Sequence, residues 1–172
     1  MSQNNSEVDV ATRKEQASMG QQAYNMVPMY TLKLVKERGV RYPVDKVMDN
    51  RSAEVILQAY LENKDCEHMV ALMLDGQNNV LGLHLVSIGG IAGCGVTVRD
   101  IFKAAIVGRA SALVLSHSHP SGSLEPSKED IDLTVRAIEA GKLLGIPCVD
   151  HIIVSSGMNR GSYSFLQHNL LF

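Results

Sequence analysis

Two histidines at the end of an apolar run are the residues in this sequence with the clearest capacity for chemistry. His117 and His119 follow the stretch "SALVLS", which is typical of a short buried strand. Because side chains alternate between the two faces of a strand, both imidazoles point to the same side, where they could bind one metal ion. In the alternative interpretation, "HPSG" forms a turn and the histidines are polar residues at its edge.

A carboxylate further along the chain could complete a metal site. Pro120 and Gly122 are expected to end the strand and reverse the chain, and a helix is predicted to begin near Ser127. Asp130 would then lie in the first turn of that helix, close to the open end of the strand. Two nitrogens, one oxygen and a water molecule are the ligands of a catalytic zinc site. Ser127 and Asp130 also fit an N-cap and its acidic partner, which stabilise a helix by about 1 kcal/mol without any metal.

The segments before the histidines are predicted to form a hairpin and a helix. "MVALMLD" and "VLGLHLVSIG" are typical of strands, and "GQNN" between them is typical of a tight turn. In the helix predicted over 97–110, Thr97 and Asp100 have the spacing of a capping box. Together with the strand that carries the histidines, these segments indicate an α/β fold with a largely antiparallel start.

Two further helices are predicted from apolar spacing. "SAEVILQAYLEN" is expected to begin at a cap formed by Ser52 or Asn50. Its buried stripe is predicted to contain Val55, Ile56, Ala59 and Tyr60. The helix after Ser127 is expected to end at Gly145 and to face inward with Ile131, Val135 and Ile138. A strand "IPCVDHIIVSSG" and an edge segment "YSFLQHNLLF" are predicted to follow it.

The N-terminal part differs in composition from the rest. We expect residues 1–44 to be a polar, partly disordered extension and residues 45–172 to be the folded domain. Within the extension, "MYTLKLVKE" alternates Tyr30, Leu32 and Leu34 with polar residues, which predicts one half-buried strand.

Composition narrows the classes of function. The chain has 172 residues, a net charge of −2 and 45% hydrophobic residues, so it suits one globular domain without a general attraction for nucleic acid or anionic membranes. No apolar run has the length of a membrane helix, and the N-terminus lacks a signal-peptide core. Cys66, Cys94 and Cys148 form no metal-binding pair motif and are expected to be reduced thiols. These features favour a cytoplasmic protein.

The stretch "HSHPSGSLEPSKED" resembles the JAMM motif of MPN-domain metalloproteases. It has His-x-His-Pro, a spacer of ten residues before the aspartate, and a serine three residues before that aspartate. With "EHMVALMLDGQNNVLG", "GKLLGIPCVDHIIV" and "YSF", the chain is similar to the RadC-like JAB branch over about residues 45–172. The resemblance implies a single MPN domain, cytidine-deaminase-like, with a mixed central sheet flanked by helices. It also implies one zinc ion per chain, held by His117, His119 and Asp130.

The resemblance further implies catalytic roles for two residues. Glu67, which precedes the first hairpin strand, matches the family glutamate that takes a proton from water and returns it to the leaving amine. Glu62 and Asp65 are rivals for this role. Ser127 is expected to stabilise the oxyanion or to orient a ligand. His151 could orient a ligand or be an ordinary structural histidine, and no role is assigned to His68, His84 or His168.

Three kinds of function follow from these residues. The first is a JAMM-type zinc hydrolase that cleaves peptide or isopeptide bonds. The second is a RadC-like accessory protein connected with DNA repair or mobile elements, although the acidic pI and the lack of a helix-hairpin-helix region disfavour a nucleic-acid partner. The third is a non-catalytic interaction module. A membrane partner is not expected, and the tail and the C-terminal segment could pair copies of the chain.

Overall fold

The computed structural model describes residues 26–37, 39–44, 46–89, 95–155 and 161–171. The chain divides into two units between Thr31 and Leu32. In the first unit, the described residues 26–31 form no helix or strand. All of the helices and strands discussed below belong to the second unit.

A mixed sheet forms the centre of the second unit. The described strands are β1 (His68–Leu74), β2 (Val80–Ile88), β3 (Ala112–His119), β4 (Cys148–Ser155) and β5 (Ser162–Ser164). Their order across the sheet is β2-β1-β3-β4-β5. The β3–β4 pair is parallel and the other three pairs are antiparallel. The predicted hairpin is confirmed by the β1–β2 pair, and its turn is stabilised by Asp75 Oδ1, which accepts the backbone N–H groups of Gln77 and Asn79 at 2.8 and 2.9 Å.

In the described part of the chain, three helices cover the two faces of this sheet. They are α1 (Asn50–Leu61), α2 (Val98–Val107) and α3 (Lys128–Leu144). On one face, α1 packs against alternate residues of β1, β3 and β4, such as Leu72, Val114 and Ile152. On the other face, α2 and α3 pack against Met69, Leu113 and Leu115, among others. The predicted α/β class, with a mixed sheet flanked by helices, is confirmed.

The ends of α2 and α3 agree with their local sequence signals. Thr97 and Asp100 form a capping box at α2. Ser127 and Asp130 form the same arrangement at α3. Gly145 ends α3 with φ of 68°, a left-handed conformation that glycine adopts without the steric cost of a Cβ. The helix boundaries were predictable because each signal lies within a few residues of the end that it marks.

The predicted cap and stripe of α1 are partly wrong. Asp49, not Ser52 or Asn50, is the N-cap, and Ser52 is its partner three residues on. The buried residues are Ala53, Ile56, Leu57 and Leu61. Of the predicted stripe only Ile56 is fully buried. Tyr60 is half-buried against the same core cluster, Val55 is half-buried and Ala59 is exposed. The branched and aromatic side chains suggested the stripe, but the packing against β1 and β4 favours the face with two leucines.

The inward face of α3 also differs from the prediction. Ile131 and Val135 are 39% and 41% exposed, and Ile138 is only partly buried. The buried residues are Asp130, Leu133, Thr134, Ala137 and Gly141. Two polar residues thus occupy positions where an apolar pattern was expected, and the apolar residues beside them face outward.

The predicted strand before the domain is absent. Residues 29–37 form no strand, and the side chains of Tyr30, Leu32 and Leu34 are 82%, 76% and 51% exposed. A strand needs a neighbour to satisfy its backbone groups, and in the described sheet no strand pairs with this segment. At the other end, the predicted edge segment is a strand only over Ser162–Ser164. The domain boundary at 44/45 stays a prediction.

No helix among the described residues has the length and apolar character needed to cross a membrane. Residues 90–94 of the loop "GIAGCG", which include Cys94, lie outside the described residues. Of the other two cysteines, Cys148 is buried and Cys66 is half-buried, and both are free thiols.

Candidate metal centre

The end of β3 brings the two histidines to the face of the sheet that α3 covers. Leu113, Leu115, His117 and His119 alternate with residues that face α1, so the histidines continue an apolar row of the core. The side chain of His117 is only 1% exposed, whereas that of His119 is 12% exposed. The pair therefore has one buried member and one that reaches solvent.

The first turn of α3 supplies the carboxylate. After His119, a turn closed by the Gly122 N–H on the His119 carbonyl reverses the chain, and Gly122 has φ of 81°. Ser127 then caps α3 and holds Asp130 in three ways. Its hydroxyl donates to Asp130 Oδ2 at 2.6 Å, its backbone N–H donates to the same oxygen at 2.8 Å, and its Oγ accepts the Asp130 N–H at 3.1 Å. Asp130 is thus fixed with its side chain directed toward the histidines.

Three ligand atoms converge at this point. His117 Nε2 lies 3.1 Å from Asp130 Oδ1, His119 Nε2 lies 3.7 Å from Asp130 Oδ2, and the two Nε2 atoms are 2.9 Å apart. One atom from each residue lies within 4.8 Å of the others. Ligand atoms about 2.1 Å from a tetrahedral zinc ion are about 3.4 Å from one another. The observed separations lie on both sides of that value, so the residues fit one shared cation.

The charges in the cluster are strongly coupled. Burial opposes ionisation of Asp130, but the interactions with the adjacent His117 and His119 imidazoles outweigh it and hold the pKa of the carboxyl well below its usual range. The adjacent Asp130 carboxylate raises the pKa of His119, against the effect of burial. The site thus favours an anionic carboxylate beside positive charge, as a cation site requires.

Glu67 lies beside this cluster, at the start of β1. Met69 pairs with His117 at the end of the antiparallel β1–β3 ladder, and this register continued by two residues would bring Glu67 opposite His119. The charge of Glu67 contributes to the raised pKa of His119, after the larger effect of Asp130. Of its rivals, Glu62 is the C-cap of α1 and Asp65 is exposed. The register and the charge effect therefore favour Glu67 over Glu62 and Asp65 for a role beside the histidines.

His151 and Thr134 form a second layer behind His117. His151 is fully buried on β4, with Nε2 at 2.8 Å from His117 Nδ1 and Nδ1 at 2.6 Å from Thr134 Oγ1. Its ring stacks on Phe165, with centroids 4.7 Å apart. Burial is the main cause that holds the pKa of His151 well below its usual range, and the neighbouring His117 imidazole adds to the effect. The sequence had pointed to His151 but not to Thr134, whose signal was its position four residues after Asp130 on one helix face.

An open depression of about 440 Å³ lies beside the segment that joins the ligands. Its lining includes residues immediately before Ser127 and after Asp130: Leu124, Glu125, Pro126, Ile131, Tyr163 and Leu170. The lining of this depression is therefore mainly apolar, with one acidic residue.

Comparison with known proteins agrees with this architecture. Residues 47–170 match the family described as RadC-like JAB domain. A UPF0758 protein of Rubrobacter xylanophilus is 39% identical over 116 residues, which are 67% of this chain and 49% of that protein. A UPF0758 protein of Finegoldia magna is 40% identical over 138 residues, which are 74% of this chain and 61% of that protein.

This chain spans about half the length of the relatives with which it aligns. The match nevertheless includes the whole sheet, α1 to α3, and the histidine and aspartate cluster. The expected MPN domain is thus confirmed, and the chain belongs to the RadC-like JAB domain family.

Proposed function

We propose that this protein is a zinc-dependent hydrolase of the JAMM type that acts on peptide or isopeptide bonds. The observation that carries the proposal is the convergence of His117 Nε2, His119 Nε2 and the Asp130 carboxylate at one point on the sheet. Two imidazoles and one carboxylate leave a fourth position for water or substrate, which is the pattern of catalytic zinc sites. The partial exposure of His119 gives that position access to solvent.

A bound zinc ion would supply Lewis-acid polarisation of a carbonyl and a water whose pKa is lowered to about 7. The residues of the chain supply the remaining chemistry. Glu67, whose charge contributes to the raised pKa of His119, would take a proton on its carboxylate and return it to the leaving amine. His117 and Asp130 are buried, so the electrostatic interactions around the cation are less screened than they would be in water.

Ser127 is better suited to orient Asp130 than to stabilise an oxyanion. Its hydroxyl hydrogen is donated to Asp130 Oδ2 at 2.6 Å, and its backbone N–H is donated to the same oxygen. A hydroxyl that is committed in this way has no second hydrogen for a substrate oxygen. We therefore infer that Ser127 acts through the carboxylate. A peptide or isopeptide substrate, a cytoplasmic location and pairing between copies stay predictions of the sequence.

Metal content tests the ligand assignment first. Protein purified without chelator and loaded with zinc should contain about one zinc per chain by elemental analysis. His117→Ala and Asp130→Ala should lose most of it, because each removes one of the three proposed protein ligands. Asp132→Ala, an exposed carboxylate on the same helix, is the matched control and should keep the metal. Full retention of zinc by both ligand variants would exclude this site.

Hydrolysis tests the role of Glu67. We would incubate the zinc-loaded protein with a defined peptide library that contains both α-linked and lysine Nε-linked bonds, and follow cleavage by mass spectrometry. Glu67→Gln should keep zinc but lose turnover by about 100-fold or more, since it removes the proton acceptor. Glu62→Gln is the matched control and should turn over like the wild type. Turnover that survives in Glu67→Gln and disappears in Glu62→Gln would assign the base to the other carboxylate.

A further inference from the structure

The hydrogen bonds behind His117 form a chain with a defined direction. Thr134 Oγ1 lies 2.6 Å from the Asp130 backbone carbonyl, and a carbonyl can only accept, so the single hydroxyl hydrogen of Thr134 is donated there. The same oxygen lies 2.6 Å from His151 Nδ1. Because the Thr134 hydrogen is already committed, Thr134 Oγ1 must accept, and His151 Nδ1 must carry a hydrogen.

The next bond follows from the burial of His151. Its ring is fully buried, and in the described part of the chain no carboxylate is hydrogen-bonded to it. A buried imidazolium without such a partner would be costly, so the ring is neutral and its Nε2 has a lone pair. His117 Nδ1, 2.8 Å from that nitrogen, is then the donor. A neutral His117 with hydrogen on Nδ1 has its lone pair on Nε2, the atom that faces His119 and Asp130.

We propose that Thr134 and His151 are positioning residues that hold His117 in the Nδ1–H tautomer and so present Nε2 to the metal. This proposal rests on the proposed metal site and names residues that act behind it. The hydrogen-bond chain begins and ends at ligands, since the carbonyl at its start belongs to Asp130 and the imidazole at its end is His117. Stacking of His151 on Phe165 fixes the plane of the middle ring.

His119 is held in the same Nδ1–H tautomer by a single hydrogen bond. Its Nδ1 lies 2.9 Å from the Ser123 carbonyl, which can only accept, so Nδ1 carries the hydrogen and Nε2 faces the cluster. The two ligand imidazoles therefore share one tautomer but obtain it differently. Of the two, only His117 depends on a side chain from another strand. The hydrogen-bond chain from His117 through His151 to Thr134, called the relay below, can therefore be tested by mutation.

The first experiment measures the tautomer directly in the metal-free protein. Long-range ¹H–¹⁵N NMR spectra of ¹⁵N-histidine-labelled protein, with chelator at about pH 8, should show that Nδ1 of His117 is protonated and that its Nε2 is unprotonated. Thr134→Val, which keeps the side-chain shape but removes the hydroxyl, should shift His117 toward a tautomer mixture. Thr134→Ser restores the hydroxyl and should restore the wild-type pattern. A wild-type His117 protonated at Nε2 overturns the proposal, whatever the variants do.

The second experiment measures zinc affinity by competition with a chromophoric chelator. Thr134→Val and His151→Phe should bind zinc about 10- to 100-fold more weakly, the usual effect of losing an outer partner of a ligand histidine. Thr134→Ser should bind close to wild type. Ser116→Ala is the matched control because it removes a buried hydroxyl next to His117 whose bond runs to Ile152 on the opposite face. It should leave affinity unchanged.

The two proposals fail in different ways. If wild-type protein binds no zinc, the proposed metal site is wrong, while the NMR spectra still decide whether the relay sets the tautomer. If wild type binds zinc and folded Thr134→Val binds it equally tightly with an unchanged His117 tautomer, the relay is wrong and the metal site stands.

Discussion

Replacing Asp150 by alanine is expected to lower the free energy of unfolding by about 3 kcal/mol, although Asp150 is not part of the metal cluster. Its buried carboxylate accepts three donors that join β4 to β5 and the segment after it. Oδ1 accepts the backbone N–H groups of His151 at 2.7 Å and Leu166 at 3.0 Å, and Oδ2 accepts the Ser164 hydroxyl at 2.6 Å. Alanine leaves three donors unpaired at about 1–3 kcal/mol each. We take the lower end, because the variant also avoids burying a carboxylate.

The same residue should give a pH dependence with a defined sign. Burial raises the pKa of Asp150 above the ordinary value of 3.8, against the lowering effect of its hydrogen bonds, and the charge of Glu54 adds to the rise. The folded state therefore binds this proton more tightly than the unfolded chain does. The contribution of Asp150 to the free energy of unfolding is largest below the ordinary value and falls as pH rises through the folded-state pKa.

Asp150→Asn isolates this contribution because it cannot ionise but keeps an oxygen for the two backbone donors. The carboxyls of Asp49, Asp75 and Asp100 have lowered pKa values, first because of side-chain hydrogen bonds, so they give the opposite slope. They are present in both proteins and cancel in the difference. The free energy of unfolding of the wild type minus that of Asp150→Asn should therefore decrease with rising pH.

Urea unfolding followed by circular dichroism, with chelator present, measures this difference between about pH 3.5 and 6. Asp132→Asn replaces an exposed carboxylate and should show no such slope. A difference that stays flat or increases with pH would refute the assigned environment of Asp150. If Asp150→Ala lowers the free energy of unfolding by less than about 1 kcal/mol, the energy assigned to the three hydrogen bonds is wrong.

Three further outcomes are expected from local geometry. Ser127→Ala should lower the free energy of unfolding in chelator by about 1 kcal/mol, measured in urea, because α3 loses its N-cap. Gly141→Ala should lower it by about 1–2 kcal/mol, since a Cβ there would lie 2.7 Å from the Ile146 carbonyl, while Gly39→Ala, with open space, should not. Cys148 should resist iodoacetamide in the native protein and react after unfolding, as peptide mapping would show, because burial raises its pKa to about 12.

Short-range signals in the sequence were sufficient for the starts of α2 and α3 and for the C-terminal end of α3. Thr97 with Asp100 and Ser127 with Asp130 each satisfy backbone donors within one turn, so no distant residue affects the outcome. The strand predicted over 29–37 failed for the opposite reason. Alternation of apolar residues indicates that a segment could form a half-buried strand. Whether it does so depends on an available sheet edge, about which a local pattern gives no information.

The inward face of α3 could not be found from apolar spacing because the candidate site decides it. Asp130 and Thr134 are four residues apart and face the sheet, where they contact His117 and His151. A search for apolar residues at helical spacing excludes both and selects the neighbouring face with Ile131. Buried polar residues are retained where they have partners. The incorrect prediction of the inward face of α3 was therefore itself an indication of the site.

The positions of the hydrogens in the cluster also explain why the species bound there should be a cation. His119 donates its Nδ1 hydrogen to the Ser123 carbonyl, and the proposed relay commits the Nδ1 hydrogen of His117 to His151. Two lone pairs, 2.9 Å apart, then face each other beside the carboxylate of Asp130. Three electron-rich atoms so close together repel one another unless positive charge lies among them. Without a metal, a proton on His119, whose pKa the Asp130 carboxylate raises, supplies part of that charge. One divalent ion would replace this proton and satisfy all three atoms, whereas a neutral molecule would not, so the hydrogen bonds behind the site favour a metal.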